Sequence, residues 1–252
     1  MYINDVHILY YVLVGILGLV VGQFIDWCNL RLPEYKKVFS KEFFTIYLKN
    51  WKPKYILSFT TAILYVVLLY VIGWQNNVLY QMELVKYMLL IPMLLSAVVI
   101  DWKYQIIPNR LNLTIFEVGL VFAFMQGAYN INLAMDLLLG AVVGAGIFLI
   151  ITLLGGMIAG KEAMGFGDVK LMGALGLFFG WRKIIAVSLI AFLLGAIISI
   201  ILLVSKKKKT DEYIPFGPFI VMGAMVVMLV PLDILSFVLF KIFTLGMYQG
   251  QI

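Results

Sequence analysis

Residues 84–109 read LVKYMLLIPMLLSAVVIDWKYQIIPN. The first seventeen of them, 84–100, carry a single charge, Lys86, and are otherwise dominated by apolar side chains. A helix needs about 17–25 such residues to cross a hydrocarbon core of about 30 Å. Asp101 ends the run, a short polar loop follows, Pro108 closes that loop, and Asn109 is suited to cap the next helix. One stretch therefore holds a full membrane pass, a surface turn and the start of a second pass.

The same pattern recurs outward from it. Apolar runs lie at 8–28, 55–72, 111–125, 133–158, 184–204 and 215–240, and a further one, 169–181, is short for a crossing. The chain is 63% hydrophobic and 13% charged, with a mean hydropathy of +1.04. A soluble domain is roughly half apolar and a quarter charged, so this composition excludes one. The fold class is all-α, a polytopic membrane helix bundle. The first run has no basic segment before it and no small-residue cleavage site after it, which reads as a retained span. The lone cysteine, Cys28, can build neither an intrachain disulfide nor a multi-cysteine metal site and reads as a packed thiol.

The net charge of +6 would suit nucleic acid or an anionic membrane, and the positions of the basic residues decide for the bilayer, with no nucleic acid. If 169–181 crosses, with Lys170 snorkelling at one end and Trp181 anchoring the other, about eight transmembrane helices result and both termini share a side. Fifteen of the nineteen Lys and Arg residues then fall on one side, and the other four are Lys86, Arg182, Lys183 and Lys241. Basic loops stay in the cytoplasm, so the termini are expected outside. Seven spans would put the run 206–209 outside against this bias.

Residues 1–54 form a first span plus a basic cytoplasmic loop, and 55–252 the membrane core. In that loop Phe39, Phe43, Ile46 and Tyr47 fit one helical face, with Lys36, Lys37 and Lys41 elsewhere, and Lys49, Trp51, Lys52 and Lys54 following. The pattern predicts an interfacial helix on anionic headgroups.

A carboxylate at membrane depth costs at least ~2.5 kcal/mol, so each acid near a span needs a partner, water or a function. Six qualify: Asp26, Asp101, Glu117, Asp136, Asp168 and Asp233. Asp168 follows Met164-Gly-Phe-Gly167 and begins a helix, and in the eight-span arrangement it shares the cytoplasmic mouth with Asp101. Taken singly, Asp168 reads as a helix cap and Asp101 as an interface residue. Together they can share a proton and hold a water, the chemistry of an aspartic protease: one carboxyl stays protonated to polarise a carbonyl while the other deprotonates water. Neither role is assigned to one residue, because such a pair titrates as a unit. Gly165 and Gly167 allow positive φ and lack Cβ, giving a substrate backbone close access. Gly173, Gly176 and Gly180 present a smooth face that would bring the short helix against the one carrying Asp101.

Gly165-Phe-Gly-Asp168 resembles the GxGD signature of membrane aspartic proteases, shared by presenilin-type enzymes and type IV prepilin peptidases. Residues 22–33, GQFIDWCNLRLP, resemble the first-span ending of the prepilin peptidases, 101–109 their first catalytic segment, and 214–219, IPFGPF, the loop before their final span. The spacing is similar from about Gly15 to Gly223. The resemblance implies a cell-membrane enzyme that cuts, on the cytoplasmic side, the short basic leader of type IV prepilins or pseudopilins before their hydrophobic helix. By motif position Asp101 and Asp168 take the catalytic roles, with Gly165, Gly167, Pro108, Asn109, Lys170, Pro215 and Gly217 as substrate-binding or supporting residues. Proteolysis needs no cofactor. Many relatives also methylate the new amino terminus with S-adenosylmethionine and hold zinc on four cysteines of the first loop. This loop has none, so no metal is expected and methyl transfer stays open. The family commonly has asparagine at position 26, and Asp26 is expected to pair with Arg31 or a loop lysine.

Glu117 reads as a hydrogen-bonded carboxyl inside the bundle, Asp136 as a helix-start residue near the outer surface, Asp233 as another or as a break in the last span, and His7 as an exposed terminal residue. The run 206–209 reads as a headgroup-binding segment. Pro215, Gly217 and Pro218 fix a loop that covers the substrate or simply stiffens a span entry. Competing functions are a presenilin-like protease cutting transmembrane stubs, a proton-coupled transporter relaying through Asp101, Glu117 and Asp168, and a non-catalytic scaffold. The transporter would need duplicated halves, which the sequence lacks, and aspartates near midplane.

Overall fold

The computed structural model describes residues 2–4, 6–38, 40–47, 55–159, 164–205 and 214–244. Among them are α1 (Ile8–Arg31), α2 (Tyr55–Ile72), α3 (Val78–Tyr104), α4 (Asn109–Tyr129), α5 (Ile131–Ala159), α6 (Phe166–Val204), α7 (Gly217–Leu229) and α8 (Leu232–Phe243). Tyr2–Ile3 pairs antiparallel with Val6–His7 ahead of α1, and the His7 ring accepts from the Leu9 N–H as the α1 cap. The first six helices are long and apolar enough to cross a membrane, and α7 is a shorter apolar helix.

Helix α3 starts where the Asn77 side chain accepts the Leu79 N–H at 2.9 Å. It ends where Gln105, in the left-handed region at φ 56°, returns its N–H to the Asp101 carbonyl at 2.8 Å. Pro92 lies inside it. Proline has no N–H to give the carbonyl one turn earlier, that of Met88. The hydroxyl of Tyr65, buried on α2, donates to that carbonyl at 2.7 Å, so the break in the ladder is filled from a neighbouring helix.

Helices α1 and α2 pack through small residues: a Cβ added at Gly18 or Gly22 would come within 2.5 Å of the Ala62 or Ser58 Cα. Helix α6 is two arms joined at Gly180, whose backbone is non-helical at φ 74°, ψ 172°. In a straight helix Met172 and Ile184 would stand about 18 Å apart. A Cβ added at Gly144 of α5 would meet both, at 2.5 Å from the Met172 carbonyl oxygen and 2.9 Å from Ile184 Cγ1. The chain therefore doubles back at Gly180, its first arm (166–179) antiparallel to α5 and its second (181–204) running alongside it. With the arms counted separately and α7 included, the apolar helical segments among the described residues number eight, of which the first arm of α6 and α7 are short for a crossing.

Three expectations are corrected. The face of Gly173, Gly176 and Gly180 packs on α5, not on α3: Gly176 lies against Gly140, where an added Cβ would sit 2.1 Å from the Gly140 carbonyl oxygen, and Gly173 lies against Ala145. The run 215–240 is not one helix, because Pro231 ends α7 and opens α8, with Asp233 in its first turn. Phe43 and Tyr47 of the first loop face α1 instead of lying along a separate amphipathic helix. Phe43–Tyr47 forms a π-helical turn folded back on α1, with Phe43 stacked edge-on to Trp27 at 5.6 Å and the Trp27 indole N–H donating to the Val38 carbonyl. Phe39, Lys49, Trp51, Lys52, Lys54, Lys161 and the run 206–209 lie outside the described residues.

Candidate active site

Asp101 lies in the last turn of α3 and Asp168 in the first turn of α6, and both are buried. They line one cavity of about 550 Å³ with Gln105, Ile107, Asn109, Gly165, Gly167 and Lys170. The pair thus sits at helix ends and not halfway along a span.

The two carboxylates are placed by different means. A negative charge at a helix C-terminus faces the negative end of that helix's dipole, so Asp101 needs a compensating donor. The N-terminus of α7 supplies one: the Gly217 N–H donates to Asp101 Oδ2 at 2.9 Å. Pro218 at the second position of α7 adds no competing N–H. The approach is so close that a Cβ at Gly217 would stand 2.6 Å from the same oxygen. Asp168 has the favourable end of its own helix, three residues after the cap Gly165.

Neither Gly165 nor Gly167 takes a positive φ; among the described glycines only Gly73 and Gly180 do. Gly165 is extended, and Gly167 lies against Ile107, whose Cβ would be 3.4 Å from an added methyl group. Ile107 also approaches Gly217 and so touches both catalytic segments. The glycines bring the loop before α4 onto the turn before Asp168. Asn109 does not cap α4; Pro108 holds that place, and the Asn109 side chain accepts from Lys170 Nζ at 2.8 Å across the cavity mouth. Pro215 is buried just ahead of α7.

One residue escaped the sequence reading. Asn112, buried on α4, donates through Nδ2 to the Gly167 carbonyl at 3.0 Å and ties down the residue before Asp168. Its spacing of three from Asn109, one helical face, was the available signal. Other acids fall away from the site. Glu117 is exposed on α4, not inside the bundle. Asp26 accepts from the Tyr47 hydroxyl at 3.1 Å, while Arg31 pairs with Glu42. Burial pushes the Tyr47 phenol up to about 12, so it remains a donor at neutral pH. Asp136 lies at the far end, its carboxylate against Gly180. Arg110 Nη1 donates to the Tyr35 carbonyl at 2.7 Å, which holds the first loop at the same end as the catalytic cavity.

A second, apolar groove of about 600 Å³ shares Asn109, Phe166 and Lys170 with the cavity of the two aspartates and continues between α4, α5 and α6 past Phe116, Ala145 and Leu149. Polar chemistry thus opens directly onto an apolar channel.

Residues 88–200 match the type IV leader peptidase family. A prepilin leader peptidase/N-methyltransferase of Escherichia coli (strain K12) is 34% identical over 135 residues, 52% of this chain and 57% of that one. One of Legionella pneumophila is 33% identical over 151 residues, covering 59% and 51%. One of Xanthomonas campestris pv. campestris is 37% identical over 128 residues, covering 51% and 44%. The chain spans about half the length of the curated relatives it matches. No solved structure matches it. The stretch 88–200 that is similar to the type IV leader peptidase family holds Asp101, Asp168 and the reversal at Gly180.

Proposed function

We propose that this chain is a membrane aspartic endopeptidase that removes the short basic leader of type IV prepilins or pseudopilins at the cytoplasmic face of the cell membrane. The observation that carries the reading is the single cavity into which two separate helix ends deliver Asp101 and Asp168. With one Asp101 oxygen held by the Gly217 N–H, the other is left for a water shared with Asp168. One carboxylate of the pair takes a proton from that water while the other carboxyl gives its proton to the scissile carbonyl oxygen; the tetrahedral intermediate then collapses as the amine leaves protonated. The apolar groove that continues the cavity fits a substrate with a hydrophobic segment beside its cleavage point. The basic residues of the first loop, held at the catalytic end by Arg110, favour a cytoplasmic orientation.

Proteolysis in this reading uses no metal or cofactor. The chain has one cysteine and one histidine, Cys28 and His7, and these do not fit the four-thiolate zinc site of many relatives. The described residues that line the cavity beside the first loop, among them Leu19, Gln23, Phe24, Phe43 and Tyr47, include no carboxylate for a ribose, and no methyl-transfer step is derived. The test is mass spectrometry of the amino terminus of a co-expressed prepilin. Leader removal at one bond is expected. An intact prepilin, or cleavage of a generic single-span stub alone, would overturn the reading, and an added methyl mass would reveal the second activity.

A further inference from the structure

At the end of the bundle opposite the aspartates lies a second cluster of charged side chains that the proposed chemistry does not use. Glu83, Lys86 and Tyr87 of α3 meet Asp136 of α5 and Phe178, Phe179 and Lys183 of α6 around a cavity of about 360 Å³. Lys86 is 3% exposed, and its ammonium donates to the Phe178 carbonyl oxygen at 2.9 Å. A lysine buried in a membrane helix is costly, so this one needs a compensating partner.

The carbonyl it meets supplies the reason. Phe178 is at the C-terminal end of the first arm of α6, where the reversal at Gly180 removes the helical continuation that would have supplied a donor. Such a carbonyl left unpaired away from water is destabilising. A cation there also faces the negative end of the short arm's dipole, while Asp168 occupies its positive end. Lys86 therefore closes an open helix end from another helix. Two further contacts join the same pair of elements: Tyr87 stacks on Phe179 at 5.6 Å, and Lys183 Nζ lies 3.5 Å from Glu83 Oε1.

The pair so joined is the catalytic pair. Along α3 Lys86 and Asp101 are about 22 Å apart, and along the short arm Phe178 and Asp168 are about 15 Å apart. Helices α3 and α6 share the neighbours α4 and α7, and their backbones stay apart, so the direct contacts between the two are made by these long side chains. Their opposite ends carry the two aspartates. We propose that Lys86 is a positioning residue: by holding the Phe178 carbonyl it sets the axial register of the short arm against α3, and thereby the spacing of Asp168 from Asp101. A slip of one residue is about 1.5 Å along the axis. Misplacement by about 1 Å is enough to cost roughly 10²-fold in rate.

This inference rests on the peptidase reading for its kinetic arm only. The test uses the full chain with Cys28→Ala, spin labels on cysteines placed at the exposed positions Lys103 and Phe166, and double electron–electron resonance in proteoliposomes. Lys86→Met is expected to shift or broaden the 103–166 distance, and Lys86→Arg, which keeps a cationic donor, to restore it. In the unlabelled chain Lys86→Met should lower kcat for prepilin at least tenfold with KM within threefold, and Lys86→Arg should recover most of kcat. If Lys86→Met does not accumulate, Lys86→Gln takes its place in both measurements. A 103–166 distance or a kcat unchanged in Lys86→Met, or in Lys86→Gln where that variant takes its place, would overturn the proposal. A wild-type protein inert on prepilin would overturn the peptidase reading instead, and the distance measurement would still decide the register.

Discussion

Replacing Gly217 with alanine sets a methyl group against the Asp101 carboxylate, with only the flexible end of Ile107, Cδ1 at 3.2 Å, as a further close neighbour. Gly217 is the first residue of α7 and has no positive φ, so alanine meets no backbone strain there. The added Cβ would lie 2.6 Å from Asp101 Oδ2 and 3.1 Å from its Cγ. An ordinary carbon–oxygen approach is about 3.4 Å, so the carboxylate must retreat by roughly 0.8 Å or the N–H bond must lengthen by as much. Misplacement of that size in a reacting group costs about 10–100-fold in rate, or 1.4–2.7 kcal/mol of barrier. The expected result for Gly217→Ala is a kcat for prepilin cleavage lowered by about that factor, with KM little changed. The assay is initial-rate cleavage by purified protein in proteoliposomes, paired with thermal unfolding in detergent to show that the variant is folded. A folded Gly217→Ala protein that cleaves within twofold of wild type would refute the claim that α7 sets the Asp101 geometry.

Asp101→Asn and Asp168→Asn should each lower leader removal by about 10²–10⁴-fold while the protein still accumulates in the membrane, read by immunoblot of prepilin and enzyme together. Asn112→Ala removes the donor to the Gly167 carbonyl and should cost about 1–3 kcal/mol, seen as a lower unfolding temperature and a slower cleavage rate. Tyr65→Phe strips the Met88 carbonyl of its partner and should cost a similar ~1–3 kcal/mol. In a Pro92→Ala background the restored N–H serves that carbonyl, so the same substitution should cost clearly less; equal costs in a double-mutant cycle of unfolding temperatures would discard the account of α3.

The passes were readable because hydropathy sums over about twenty residues and tolerates single errors. The common depth of Asp101 and Asp168 followed from it, since each stands at an apolar run's edge on the same side. What stayed hidden depends on which helix lies next to which. A small-residue face such as Gly173, Gly176 and Gly180 announces a close contact, but nothing in its spacing distinguishes α5 from α3 as the partner. The Gly217 donor is a backbone N–H, which any residue but proline would carry, so its aim at Asp101 leaves no compositional trace. Glu117 misled because its position along the span is legible while its direction around the helix is not. Pro92, by contrast, was a usable sign: a proline inside a pass points to an unpaired carbonyl four residues earlier, and the structure answers it with Tyr65.

The short arm of α6 ties these observations together. Its fourteen residues, 166–179, span about 21 Å against a hydrocarbon core of about 30 Å, while α5 beside it has 29 residues and reaches well beyond that thickness. An arm some 9 Å too short cannot bring both of its ends to the surface. Each end instead carries polar groups that a fully apolar layer would reject: Asp168 at its start, with Asp101, Asn109 and Lys170 around one cavity, and the Phe178 carbonyl at its finish, with Lys86, Glu83, Asp136 and Lys183 around another. The shortness of the arm accounts for both cavities at once. In the proposed reading it gives water and an extended peptide access to a carboxylate that is buried among helices, and it leaves the opposite end to be sealed by charged side chains.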